Sequence, residues 1–600
     1  MNKLMKNLEF YNFDKTINIP DVFIIPDLQE KLISEIDFQM NRAMYILYKN
    51  YDLNLIGSLL SNLGEKSIVL YFYDDLSDLI SIFSNFSNNK LKSKFFVFSS
   101  SISEYDNKIK LDMFLNNSFY TYTNIIPVMK LDDNLNYIKN AREIIKYIRE
   151  KRDSYSFKLG NDANDTLYGF DNRIKNIEQY SEELGLKDFI DRAYLQYKKK
   201  PAVIVSSGPS LDKNVHFLRE YQDKVLIFSC DGSYTTLIKN GIIPHFIGSV
   251  ERVKITYDAF YEGRNFDSSV ILLAPAVVRP EIPRKFQGRM LSFFKDKDAY
   301  GVYFDNLLYN QKGSIWCGSS VAHLLYNAAK VMGADPIILI GQDLSYTMEG
   351  ISHADDSEVK EIHDVSNVSV WLKGNFDKLV PSDYLWEKFL LEFIEIISGN
   401  PGKTINATEG GAFIEGTEVG FLNEVLAKYA IDNIIKPIEL FSSIPKRTLS
   451  EEIKMHIKEN LSSFLEKYVE HEKICFKALE NNVKILKKAK KGIKTQKQLD
   501  EVYDLLEYVD QKIVKKIMKD SDMMMLSQYL IHSAIRQIND IGVKAYNFES
   551  IIKNLEIHHI LLKQLILNYR KMIKLMNDNG FELNQNYDWL NESIYEIDRI

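Results

Sequence analysis

Three short runs in this chain place small, hydroxyl-bearing and acidic residues where apolar segments end. The first is Ala202-Val-Ile-Val-Ser-Ser-Gly-Pro-Ser-Leu-Asp212. An apolar strand runs into Ser206, Ser207, Gly208, Pro209 and Ser210, and a helix is expected from about Leu211. Gly208 lets a ligand approach the backbone closely. Ser210 suits an N-cap, and the amides that follow it favour a phosphate or carboxylate. The same residues equally describe a capped turn with no ligand. The run has neither the lysine of a P-loop nor the three glycines of a dinucleotide fingerprint.

The second run, Gly313 to Val321, sets Gly318, Ser319 and Ser320 before an amphipathic helix expected over Val321–Met332, a second anion-friendly helix start. The third, Asp335 to Thr347, is an apolar strand with Gly341, Gln342 and Asp343 at its carboxyl end and Tyr346 just beyond. An acid there binds a ribose or another hydroxyl, acts in catalysis, or caps the next turn. Glu251 closes the expected strand His245–Val250 in the same topological place. His353 and His363 follow in a polar stretch, where a histidine is a base or a plain loop residue. Other features fit ordinary roles: the lysines from Lys484 to Lys497 a solvated helix face, Met523–Met525 core filling, and His558 and His559 no shared metal, because they point to different helix faces.

Stepping outward to the elements, residues 1–135 read as a small α/β domain with strands near Ser67–Tyr73 and Lys94–Ser99. Residues 136–200 read as a helical connector broken by the polar stretch Leu159–Thr166, and 201–440 as a central domain with the βα rhythm of a parallel sheet. From 441 to 600 the pattern is an all-α bundle of four to six helices, with no proline after Pro445. The 600 residues carry 75 Lys+Arg and 82 Asp+Glu, a net charge of −7, so no basic field points to nucleic acid. Three separated cysteines exclude a disulfide scaffold and a cysteine-rich zinc module. No apolar run reaches the roughly 18–20 residues of a membrane span. Met1–Lys15 lacks the apolar stretch of a secretion signal, so a cytoplasmic location is expected. Large helical domains often self-associate, which leaves a homo-oligomer open.

The three runs in this order, SSGPSL, the GSS-helix and IGQDLSYT followed by His353, resemble the motility-associated factor (Maf) flagellin glycosyltransferases. Asn406-Ala-Thr-Glu-Gly-Gly-Ala412 and the turn Gly241–Pro244 suit that family too. Its central domain is similar to bacterial sialyltransferases that use CMP-activated sugars, which implies a Rossmann-like domain of sialyltransferase type. The implied reaction moves a nonulosonic acid of pseudaminic or legionaminic type from its CMP donor to Ser or Thr of flagellin, with no metal or other cofactor expected. The resemblance places Gly208, Pro209, Ser210 and Leu211 beside the nucleotide and Ser319 on the sugar carboxylate, with Gly318 and Ser320 as neighbours. It sets Gln342 and Glu251 in the donor site, and Asp343 and Tyr346 near a catalytic acid and a phosphate-contacting tyrosine. Ser207 stands where the sialyltransferases have asparagine. Their histidine base, expected before a helix, has no counterpart in Val380-Pro-Ser-Asp-Tyr384; His353, His363, Asp343 or Asp383 stand in for it. Proteins with a similar central domain include archaeal pterin pyrophosphokinases, a Mg²⁺-ATP reading in which Glu251 and Asp343 hold the metal. A third reading is a flagellin-holding factor without catalysis.

Overall fold

The structure is a computed structural model that describes residues 43–48, 67–74, 95–101, 105–118, 124–128, 141, 143–148 and 151, and then 162–581 apart from 369, 447–449 and 542–547. Met1–Lys15 and residues 159–161 of the expected polar break lie outside the described residues.

Four parallel strands form the N-terminal sheet: β1 (Ala43–Tyr48), β2 (Ile68–Tyr73), β3 (Phe95–Ser99) and β4 (Asn124–Val128), in the order β3-β2-β1-β4. The two strands expected from sequence are β2 and β3. This sheet's helices meet the central domain through a buried charge cluster. Lys151 lies between Glu387 and Asp112, at 2.5 and 3.2 Å, and Lys108 reaches the same Glu387 at 2.9 Å.

The central sheet is parallel. Its strands are β5 (Leu184–Gly185), β6 (Ala202–Val205), β7 (Leu226–Cys230), β8 (Phe246–Gly248), β9 (Ile271–Pro275), β10 (Met290–Lys295), β11 (Ser314–Ile315), β12 (Ile337–Ile340), β15 (Thr404–Asn406) and β16 (Glu418–Val419). An antiparallel hairpin, β13 (Val370–Lys373) and β14 (Leu379–Ser382), interrupts the βα rhythm. The sheet runs β11-β10-β9-β8-β7-β6-β12-β15-β16, with β5 beside β10. β6 and β12 are continuous apolar runs because both faces are covered. Val203, Val205, Ile338 and Ile340 enter one core layer, and Ala202, Ile204, Ile337 and Leu339 enter the other.

The polar break ends sooner than the sequence suggests. Asp162 caps a helix, Ala163–Glu182, by accepting from the amides of Asn164 and Asp165, so Thr166 is already helical and buried. That helix holds the loops at the carboxyl ends of β8 and β9. Asn172 donates to the carbonyls of Arg252 and Val277, and Asn176 to those of Ala276 and Val278.

The C-terminal helices are Glu451–Lys490, Gln496–Tyr508 continuing through a wider turn to Lys519, Ser521–Ile541 and Phe548–Asp578. They share one apolar core with the helix Ala163–Glu182 and with the β9–β10 edge of the central sheet. Phe170 stacks on Phe464 at 5.0 Å, and the hydroxyls of Tyr300 and Tyr468 meet at 2.8 Å. Met523 is core, and Lys488 and Lys490 pair with Glu501 and Glu556 on the surface. Among the described residues no helix is long and apolar enough to cross a membrane.

Candidate functional site

Strand order reverses between β6 and β12, where sequence neighbours run outward to opposite sides. Open α/β sheets bind ligands in the crevice at such a point. The loops leaving β6 and β12 are laced together there: Ser206 N–H donates to the Ile340 carbonyl at 3.0 Å and Gly208 N–H to that of Gly341 at 2.8 Å. Ser206 donates its hydroxyl to Gln342 at 2.7 Å, and the Gln342 amide donates to Thr408.

Asp343 closes this arrangement. Its carboxylate accepts the Ser210 hydroxyl at 2.7 Å and the Ser210 amide at 3.3 Å. Three glycines make room for it. A Cβ at Gly208 would lie 2.2 Å from Asp343 Oδ2, one at Gly411 2.4 Å from its Cα, and one at Gly410 3.4 Å from Oδ1. Burial raises the Asp343 carboxyl to about 6, although the Ser210 hydroxyl and amide pull the other way. The expected N-cap is therefore a different device. Ser210 has helical backbone angles and caps nothing; the helix it precedes is only Leu211–Asn214. Its hydroxyl serves Asp343 instead. Leu211 is wholly buried in the core beneath the loop, while Gly208 and Pro209 stay half-exposed.

The second helix start forms as expected but is filled by the chain itself. Ser320 caps the helix Val321–Val331 by accepting from His323 N–H. Gly318 has φ +58°, and a Cβ there would press on His323. Ser319 gives its amide (2.8 Å) and hydroxyl (2.6 Å) to the carboxylate of Glu392, which also meets His323 Nδ1 at 3.2 Å. Burial alone would raise Glu392, but His323 and Ser319 outweigh it and hold the carboxyl at about 2. The donors that the resemblance assigns to a sugar carboxylate thus hold an internal one.

Tyr346 and His353 sit in a neighbouring group. Tyr346 donates its hydroxyl to Asp383 at 3.0 Å, and its ring lies against His363 and Trp386. Burial, followed by the Asp383 charge, raises the phenol to about 12. Asp383 also caps the helix Tyr384–Ser398. The loop after Tyr346 folds back onto β6, where the Ala354 amide donates to the Ser207 carbonyl at 2.8 Å, bringing His353 to the crevice rim. Ser352 Oγ accepts the Glu361 amide at 2.8 Å and lies within hydrogen-bond distance of both the Glu361 carbonyl, at 3.0 Å, and His353 Nδ1, at 2.9 Å. The Ser352 contact thus engages Nδ1 and not Nε2. Burial lowers the pKa of His353.

Glu251 is exposed, three positions past the end of β8. The acid the sequence reading passed over is Asp231, at the end of β7 and nearly buried. Its signal was available: an apolar strand, LIFSC, running into Asp-Gly-Ser. Burial raises it to about 7, partly offset by the Gly232 amide and the Ser249 hydroxyl. Among the described residues no three His, Cys, Asp or Glu side chains are grouped to hold a metal ion.

A doubly wound sheet with its crevice at the strand reversal defines a Rossmann-like class of fold. Comparison with known proteins narrows it. A family model described as 6-hydroxymethylpterin diphosphokinase MptE-like matches residues 171–349. The solved structure of a Maf glycosyltransferase from Magnetospirillum magneticum AMB-1 superposes with a TM-score of 0.51 at 15% identity, covering 98% of this chain and 90% of that one. The resemblance read from the sequence is thus borne out in the fold along nearly the whole chain. An uncharacterised protein of Treponema pallidum (strain Nichols) is 33% identical over 60 residues, which span 10% of this chain and 29% of the relative's length.

Proposed function

We propose that this chain is a glycosyltransferase that moves a nonulosonic acid, of pseudaminic or legionaminic type, from a CMP-activated donor to Ser or Thr hydroxyls of flagellin inside the cell. The observation that carries it is the crevice at the strand reversal, with Gly208 and Ser210 braced by Asp343, in a chain folded along its length like a Maf glycosyltransferase.

In this reading the donor's nucleotide lies along the β6 loop. The acceptor hydroxyl attacks the anomeric carbon, the bond from that carbon to the phosphate oxygen breaks, and CMP departs with the bonding electrons. His353 takes the hydroxyl proton on Nε2, the nitrogen its Ser352 contact leaves free. Asp343 is a positioning residue whose carboxylate fixes Ser210 and with it the loop. Tyr346, anchored by Asp383, lines the path of the leaving phosphate. The helical domain offers the acceptor an extended surface.

The MptE-like match favours a second reading, a Mg²⁺-dependent pterin-type pyrophosphokinase with Asp343 and Glu251 on the metal. Calorimetric titration with CMP and with ATP, each in Mg²⁺ and in EDTA, separates the two. CMP binding that survives EDTA supports the transferase. Mg²⁺-dependent ATP binding without CMP supports the kinase.

A further inference from the structure

The run β8-β7-β6-β12-β15-β16 has the strand order of the dinucleotide-binding fold, 3-2-1-4-5-6, with β6 as its first strand and β7 as its second. In that fold the first strand feeds the phosphate loop. An acid about 20 residues on, at the end of the second strand, hydrogen-bonds the ribose. Asp231 directly follows the last residue of β7 and stands 23 positions after Gly208.

Local packing sets Asp231 against the same loop. Ser233 donates to the Val205 carbonyl at 2.8 Å, and Ser206 Oγ lies 3.6 Å from Cys230 Sγ. At Gly232 a Cβ would stand 3.2 Å from Ser207 Oγ, a half-exposed hydroxyl. The Asp231 carboxylate accepts the Gly232 amide at 3.0 Å and the Ser249 hydroxyl at 3.2 Å. A carboxylate has about four acceptor positions, so about two stay open, the number a vicinal diol fills. Asp343 takes the same number of donors, the amide and the hydroxyl of Ser210, but it lies beyond β12, the fourth strand of this order and not the second.

We propose that Asp231 is the ribose-binding residue of this crevice, accepting the 2′- and 3′-hydroxyls of a ribonucleotide beside Ser207. This rests on reading the crevice as a nucleotide site, and it is indifferent to the base. The residue is chosen by topology and by its place beside the β6 loop. Its raised pKa adds a consequence: two hydroxyl donors favour the ionised form, so binding near neutral pH releases a proton.

The test is calorimetric titration of the full chain with CMP against 2′,3′-dideoxy-CMP, and with ATP against 2′,3′-dideoxy-ATP, for the natural protein, Asp231→Asn and Asp231→Ala. The natural protein is expected to prefer the ribonucleotide about tenfold. Asp231→Ala is expected to bring the pair within twofold. Circular dichroism confirms that each variant is folded, and Asp231→Asn, which keeps the side chain's shape, carries the comparison if the alanine variant is not. Equal binding of the two sugars by the natural protein overturns the proposal, as does a preference that survives both variants. If only ATP binds and its ribose preference is lost on substitution, the proposal stands and the CMP donor falls. If no nucleotide binds, the nucleotide reading and this proposal fall together.

Discussion

Ser352 holds His353 through Nδ1, which leaves Nε2 outside that contact. Replacing His353 with alanine is expected to slow transfer by about 10²–10⁴-fold with donor affinity little changed, measured as kcat and KM separately. Burial lowers this histidine's pKa, so the neutral, competent form holds from above pH 6.5 down towards the lowered value. The rate should fall only on passing below that value, and His353→Ala should lack this acid limb. Gly208→Ala would drive a methyl to 2.2 Å from the Asp343 carboxylate, so CMP affinity and the melting temperature should both drop. The crevice residues were legible in the sequence because Gly208, Ser210 and Asp343 follow apolar runs. What Ser210 does was not, since its partner lies 133 positions away. Asp231 went unread for another reason: a lone acid in Asp-Gly-Ser matches an ordinary turn until β7 is known to lie beside β6.

The helix Tyr384–Ser398 joins three parts of the molecule. Its cap Asp383 holds Tyr346, its Glu387 meets Lys151 and Lys108 of the N-terminal domain, and its Glu392 holds Ser319. With a carboxyl held at about 2 against an ordinary value near 4.5, Glu392 stabilises the fold by on the order of 3 kcal/mol. The sign follows: this contribution is complete above the unfolded value and is lost as pH falls towards 2. Urea unfolding of Glu392→Gln beside the natural protein should show a deficit at pH 7 that narrows in acid. Breaking the buried Glu387 cluster by Lys151→Met should cost about 3–5 kcal/mol in the same measurement. The helix itself is plain in its apolar spacing. Its carboxylates' partners are not, because helical periodicity identifies the buried face and not what covers it.

Across the whole molecule the central sheet and the C-terminal helices share a core through Phe170, Tyr300, Phe464 and Tyr468. Scanning calorimetry should therefore show them melting in one transition, and Phe464→Ala should destabilise both together by about 3–5 kcal/mol. A separate early transition for the bundle would contradict this. The sequence showed an α/β start, a parallel central sheet and an all-α end, since strand runs, helical spacing and the lack of proline after Pro445 mark each. It did not show the common core, which forms between faces more than 100 residues apart. The most direct measurement is the intact mass of purified flagellin after incubation with this protein and a CMP-activated nonulosonic acid. A gain of one nonulosonate residue per modified hydroxyl, with matching release of CMP and loss of both in His353→Ala, is the predicted result. Flagellin of unchanged mass under conditions where CMP is bound would contradict the assignment of transfer to this crevice.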